Sequence, residues 1–183
     1  ADVVPTALSR LSSDQRARLD VVQQCREEEL AAVREAYTKA GIKARLESFL
    51  NDVPEILART HLVIARSGAS TVAEVAAAGR PSIFVPYPHH ADQQQKHNAE
   101  SLAQCGGAWV MTQNGFNADA LLARLETLLQ NPEMLAKAAE AARGCGKPDA
   151  TLRLGNLAVE TLAGWNKPSA QSHDDSPIRS LAA

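Results

Sequence analysis

Two kinds of apolar spacing alternate along the chain. Compact, mainly apolar runs at 61–65, 82–86 and 108–111, a β-rich run at 19–24 and a short strand pattern at 44–49 are separated by longer stretches in which apolar residues return every three or four positions. Runs of the first kind have the length and make-up of strands buried on both faces, and stretches of the second kind form helices with one apolar side. Helices are therefore predicted over residues 5–11, 26–40, 52–58, 91–104, 117–130, 132–143 and 149–165, with one more running from the small-residue turn at 66–70 to Ala78. In the 26–40 segment Leu30, Val33 and Tyr37 share a face and Gly41 supplies the stop, while Gly79-Arg80-Pro81 closes the helix that ends at Ala78. Strands separated by helices imply right-handed crossovers and an open parallel sheet covered on both faces, a Rossmann-like α/β domain. No segment repeats another. Residues 1–165 read as this one domain, and 166–183, rich in Ser, Pro, His and Asp, as a disordered tail.

Composition narrows the classes of function. A length of 183 residues allows one core, and 45% hydrophobic with 22% charged residues is the balance of a chain that folds. Acidic residues number 21 against 19 basic ones, a net charge of −2, so the chain carries no electrostatic footprint for nucleic acid and none is expected as a partner. The longest apolar stretch, Val72 to Ala78, is broken by Glu74 and is far too short for a membrane-spanning helix. Cys25, Cys105 and Cys145 are widely spaced, without a C-x-x-C pair or a zinc spacing, which favours reduced thiols and a cytoplasmic setting. Ala1-Asp2-Val3-Val4-Pro5 has neither an initiator Met nor the features of a signal peptide, and reads as the middle of something longer.

In open parallel sheets ligands lie outside the carboxyl ends of the strands, so the segments after Ala65 and Val85 are the places to search. The first is Ser67-Gly68-Ala69-Ser70-Thr71-Val72-Ala73-Glu74. Small residues between a strand and a helix admit close approach to the backbone, and the unpaired N–H groups and positive dipole of the helix start favour a diphosphate. Glu74 then has two competing roles. It either accepts hydrogen bonds from vicinal ribose hydroxyls or, as the last residue of Thr71-x-x-Glu74, closes a capping box. The segment contains neither G-x-G-x-x-G nor Gly-Lys-Ser/Thr, which leaves a dinucleotide enzyme and a Walker-type NTPase unsupported. The second segment, 89–99, carries Gln93, Gln94 and Gln95 into a helix with Asn98 three residues on from Gln95. Carboxamides both donate and accept, which suits sugar hydroxyls, although a solvated helix start has the same composition. His89, His90 and His97 have only Asp92 as an acidic companion, so a metal is the weakest reading and none is predicted.

These residues also carry a resemblance. Arg66-Ser67-Gly68-Ala69, Thr71 and Glu74, Ala76-Ala77-Ala78-Gly79-x-Pro81, Phe84-Val85-Pro86 and the segment from Asp92 to Asn98-Ala99, in that order, resemble the C-terminal half of the bacterial peptidoglycan N-acetylglucosaminyltransferases of glycosyltransferase family 28. The resemblance implies a GT-B architecture whose C-terminal Rossmann-like domain binds UDP-GlcNAc, for inverting transfer of N-acetylglucosamine to undecaprenyl-diphospho-muramoylpentapeptide, with no metal or cofactor. It gives Ala69, Ser70 and Thr71, with Val72 and Ala73 beside them, to the diphosphate and sugar. Glu74 goes to the ribose, Gln94, Gln95 and Asn98 to the GlcNAc ring, and the main chain of Leu50, with Val53 adjacent, to the uracil edge. It also implies an opening strand with a Gly-Gly-Ser turn and an acceptor-binding domain, both upstream of Ala1, the latter supplying the catalytic base; no base is identified in this sequence, His89 and His90 included. The whole enzyme would be cytoplasmic and peripheral on the inner membrane face. A free-standing donor-binding subunit of a two-component transferase is the main alternative, and a UDP-sugar epimerase of the same architecture a weaker one.

Overall fold

A computed structural model describes residues 2–88 and 92–165. Helices α1 (Val3–Ser9) and α2 (Ser13–Ala17) precede strand β1 (Asp20–Gln24), a 3-10 turn (Glu27–Glu29) and α3 (Leu30–Lys39). Then come β2 (Lys43–Glu47), α4 (Val53–Arg59), β3 (Val63–Ala65), α5 (Ala69–Ala77), β4 (Ser82–Phe84), α6 (Gln94–Gln104) and β5 (Ala108–Val110). A second 3-10 turn (Gln113–Gly115), α7 (Ala118–Gln130), α8 (Pro132–Cys145) and α9 (Ala150–Trp165) complete the order. All five predicted strands are present. Helix α2 is an addition, although its start is legible as Ser12-x-x-Gln15: the Ser12 side chain accepts from the Gln15 N–H and the Gln15 side chain accepts from the Ser12 N–H, a capping box. Helix α6 starts at Gln94, later than the predicted residue 91, because Gln93 has φ +50° and a left-handed residue cannot continue a helix backwards. Gly41, at φ +67°, ends α3 as its sequence position demands. The tail predicted at 166–183 and the histidines at 89 and 90 lie outside the described residues.

Every strand pairing is parallel, and the pairing forms two ladders: β1 with β2 in the register Val22 to Arg45, and β3-β4-β5 with Ile64, Ile83 and Trp109 aligned across it. In a doubly wound sheet of order 3-2-1-4-5-6 these ladders correspond to strands 3-2 and 4-5-6. Successive residues of β4 serve opposite faces, as the pleat requires. Ile83 joins the larger core with Leu8 and Leu11, with Val33 and Tyr37 of α3, and with Leu121, Leu125 and Leu128 of α7. Phe84 joins a second core made by Val75 and Ala76 of α5, Ala99 and Leu102 of α6, and Ala142 of α8. Both residues are fully buried. Burial also raises the pKa of the Tyr37 hydroxyl, which donates to Gln23 Oε1 at 2.6 Å.

The second core is tight where helices end. A Cβ placed on Gly146 would lie 2.5 Å from the Ala76 carbonyl oxygen, and one on Gly107 would lie 2.8 Å from Ala142 Cα. This close approach brings the end of α6 to the end of α8, where Cys105 and Cys145 form a disulfide with Cα atoms 6.6 Å apart. The pairing corrects the expectation of three reduced thiols: the partners are 40 residues apart in sequence, and only helix packing makes them neighbours. Cys25 remains free and buried, its thiol pKa raised mainly by burial. This compact unit ends at Lys147. A second unit begins at Pro148 and contains α9, on which Leu152, Leu154, Leu157, Val159 and Leu162 are all exposed. No helix among the described residues is long and apolar enough to cross a membrane.

Candidate functional site

Strand β3 stops at Ala65, and only three residues separate it from the first helical residue, Ala69. Gly68 is the N-cap of α5 and supplies no side-chain cap; the first helical bond runs from the Val72 N–H to the Gly68 carbonyl at 3.0 Å. The N–H groups of Ala69, Ser70 and Thr71 therefore have no acceptor within the helix and mark its positive end. Ala69 and Ser70 are exposed and Thr71 is half-buried. Val72 turns partly into the second core, while Ala73 is exposed. This start removes one of the two roles of Glu74. Thr71 is the third helical residue, not the N-cap, so the capping box does not form. Glu74 lies one turn after Ser70 on the same face and is exposed, and its carboxylate makes no hydrogen bond or ion pair among the described residues.

Helix α6 is fastened to this turn at its own N-terminus. Ser67, fully buried, donates from Oγ to the Gln95 main-chain carbonyl at 2.7 Å, and its carbonyl accepts from Asn98 Nδ2 at 3.1 Å. Gln95 Oε1 accepts from the Tyr87 N–H at 2.9 Å. Arg66 Nη1 donates to the Val85 carbonyl at 3.0 Å, and its guanidinium lies over the Tyr87 ring at 5.8 Å. Gln95 and Asn98 are thus brought against the α5 turn. Gln94 is exposed, and its main-chain N–H donates to Asp92 Oδ1 at 3.3 Å. The sequence pattern assigns no role to Ser67, Arg66 or Tyr87; a serine between a strand and a glycine was the one available signal.

Leu50 sits elsewhere, beyond the carboxyl end of β2, and no hydrogen bond among the described residues joins it to α5 or α6. Its loop is nonetheless ordered from below. Arg45 grips Asp52 through two bonds of 2.6 and 2.9 Å and Glu47 through one of 2.7 Å, while Gln24 Nε2 donates to the Ser48 carbonyl at 3.0 Å. The Arg45 guanidinium holds the Asp52 carboxyl below the ordinary aspartate range. Leu50 is half-buried and Phe49 exposed. A cavity of about 300 Å³ opens at the carboxyl ends of β4 and β5 between Tyr87, Gln93, Lys96, Val110 and Gln113; none of the predicted contact residues lines it. Among the described residues no three His, Cys, Asp or Glu side chains gather as metal ligands; His97 faces Glu100 at 3.7 Å.

With this geometry in place, comparison with known proteins is specific. The glycosyltransferase family 28 C-terminal domain matches residues 1–154. The UDP-N-acetylglucosamine–N-acetylmuramyl-(pentapeptide) pyrophosphoryl-undecaprenol N-acetylglucosamine transferase of Paramagnetospirillum magneticum is 53% identical over 159 residues, covering 87% of this chain and 43% of that protein. The transferase of the same description from Rhodospirillum centenum is 51% identical over 97% of this chain and 46% of its own length. The crystal structure of Acinetobacter baumannii MurG superposes with a TM-score of 0.75 at 31% identity, over 86% of this chain and 44% of that one. The chain spans less than half the length of the relatives it matches.

Proposed function

The chain belongs to the glycosyltransferase family 28 C-terminal domain, and from that premise we propose that it is the donor-binding part of an inverting transferase. The full enzyme moves N-acetylglucosamine from UDP-GlcNAc to undecaprenyl-diphospho-muramoylpentapeptide in peptidoglycan synthesis. The observation that carries the reading is the start of α5: three N–H groups without a side-chain cap at Ala69, Ser70 and Thr71, followed one turn later by the carboxylate of Glu74, which has no partner among the described residues. The N–H groups and dipole face a diphosphate, and Glu74 accepts from the two ribose hydroxyls. Val72 and Ala73 complete that turn. Gln94, Gln95 and Asn98 read the sugar, and the main chain of Leu50 reads the uracil edge. No metal or cofactor enters this scheme.

In the transfer an acceptor hydroxyl attacks the anomeric carbon as the bond to the diphosphate breaks, and negative charge grows on the departing UDP. Amides already aimed at that diphosphate stabilise the charge without having to reorient. The proton of the acceptor hydroxyl goes to a base outside residues 1–183, on the acceptor-binding part of the enzyme, which is also the part that meets the lipid-linked acceptor at the inner membrane face. The ladders support the same division. A strand from outside these residues, in the position of strand 1, joins β1 to β3 and turns two ladders into one six-stranded sheet. Amide-resolved NMR during titration with UDP tests the reading: the Ala69, Ser70 and Thr71 N–H signals move as the site saturates. Saturable binding that leaves those three signals in place contradicts it.

A further inference from the structure

In the proposed function Gln95 and Asn98 face a sugar, and the polarity inferred for them here rests on that reading. A free carboxamide is an ambiguous reader, because turning it over exchanges its donor for its acceptor. In this fold each amide is held by a main-chain group whose polarity cannot be exchanged. The Tyr87 N–H only donates, so the atom 2.9 Å away must be Gln95 Oε1; turned over, the amide would set N–H against N–H. The Ser67 carbonyl only accepts, so the atom at 3.1 Å must be Asn98 Nδ2. Ser67 is itself immobilised: it is fully buried, and its Oγ donates to the Gln95 carbonyl at 2.7 Å, on the same helix that carries Asn98. The atoms left over are Gln95 Nε2 and Asn98 Oδ1, and neither is buried or bonded among the described residues.

We propose that the sugar-reading end of the site has a fixed hydrogen-bonding polarity, with Gln95 Nε2 as its donor and Asn98 Oδ1 as its acceptor. Tyr87, through its main chain, and Ser67 act as the positioning residues that set it. A sugar matches when one of its oxygens accepts from Gln95 and one of its hydroxyls donates to Asn98. A substituent that only accepts, such as an ether or fluorine in place of that hydroxyl, meets Asn98 Oδ1 with no proton to offer.

Gln95→Glu separates this role from simple fastening of the loop. The two side chains have the same shape, and a carboxylate still accepts from the Tyr87 N–H, so the fastening survives while the outward donor becomes an acceptor. Affinities for UDP and UDP-GlcNAc are measured calorimetrically on the chain and its variants; the added charge repels the more highly charged UDP more strongly and so moves the ratio of the two in the direction opposite to the loss of a sugar contact. Gln95→Glu is expected to lower the preference for UDP-GlcNAc over UDP about tenfold, the loss of one well-placed hydrogen bond. Ser67→Ala, which keeps the carbonyl but removes the Oγ bond that fixes it against α6, lowers the same ratio by a smaller factor and covers the case in which the first variant does not fold. A ratio unchanged in the folded variants overturns this proposal alone. If the unaltered chain binds no UDP, the functional reading falls and takes the proposal with it.

Discussion

Glu74 carries the clearest consequence of the geometry around α5. It is exposed and caps nothing, so its removal leaves the helix intact and takes away only the acceptor proposed for the ribose. Glu74→Ala is expected to weaken UDP-GlcNAc binding by about 1.5–3 kcal/mol, with an unchanged circular dichroism spectrum; equal affinity in the folded variant removes the ribose contact. Glu74 was legible in the sequence, but its two roles were not separable there. Ala69, Ser70 and Thr71 are all acceptable near a helix start, and Gly68 caps α5 with its backbone alone, so no side chain marks the first turn. Ser67 was not legible at all as a buried residue. Its burial depends on Gln95 and Asn98, 28 and 31 residues further on.

Strands and helices were easier to read than their meeting points. The apolar run at 82–86 became strand β4 because a strand buried on both faces needs little beyond its own sequence, and Ser82, Ile83 and Phe84 are all fully buried. Where helices touch, the deciding atoms belong to partners distant in sequence. Gly146 looks like an ordinary helix stop, yet its missing side chain lets the end of α8 lie on the Ala76 main chain. Gly146→Ala is expected to destabilise the chain by about 1–3 kcal/mol, measured by denaturant unfolding, because a backbone carbonyl cannot give way as a side-chain tip can. The loop after β2 responds to pH. Arg45 depresses the folded-state pKa of Asp52 below its unfolded value, so the stabilisation is complete above the unfolded value and disappears as pH falls through the folded one. Protection of the Ser48 and Ile56 amides, measured by hydrogen exchange relative to the intrinsic rate at each pH, is therefore expected to fall below about pH 4, the ordinary aspartate range, and Asp52→Asn should remove that fall.

The link between Cys105 and Cys145 closes a 40-residue loop that contains β5, α7 and most of α8. Loop-closure entropy for that length corresponds to about 4 kcal/mol, so a reducing agent is expected to lower the denaturation midpoint by a comparable free energy. An unchanged midpoint shows that helix packing alone holds these ends together. Both faces of the sheet are covered, yet the strands pair as two ladders, and the chain spans less than half of its relatives. Recognition of the donor is accordingly the property to examine in this chain by itself. The most direct measurement is calorimetric titration with UDP-GlcNAc, with UDP-glucose and NAD as controls. The prediction is saturable, stoichiometric binding of UDP-GlcNAc in preference to both; equal binding of all three, or none by a chain that circular dichroism shows to be folded, contradicts a donor site in these residues.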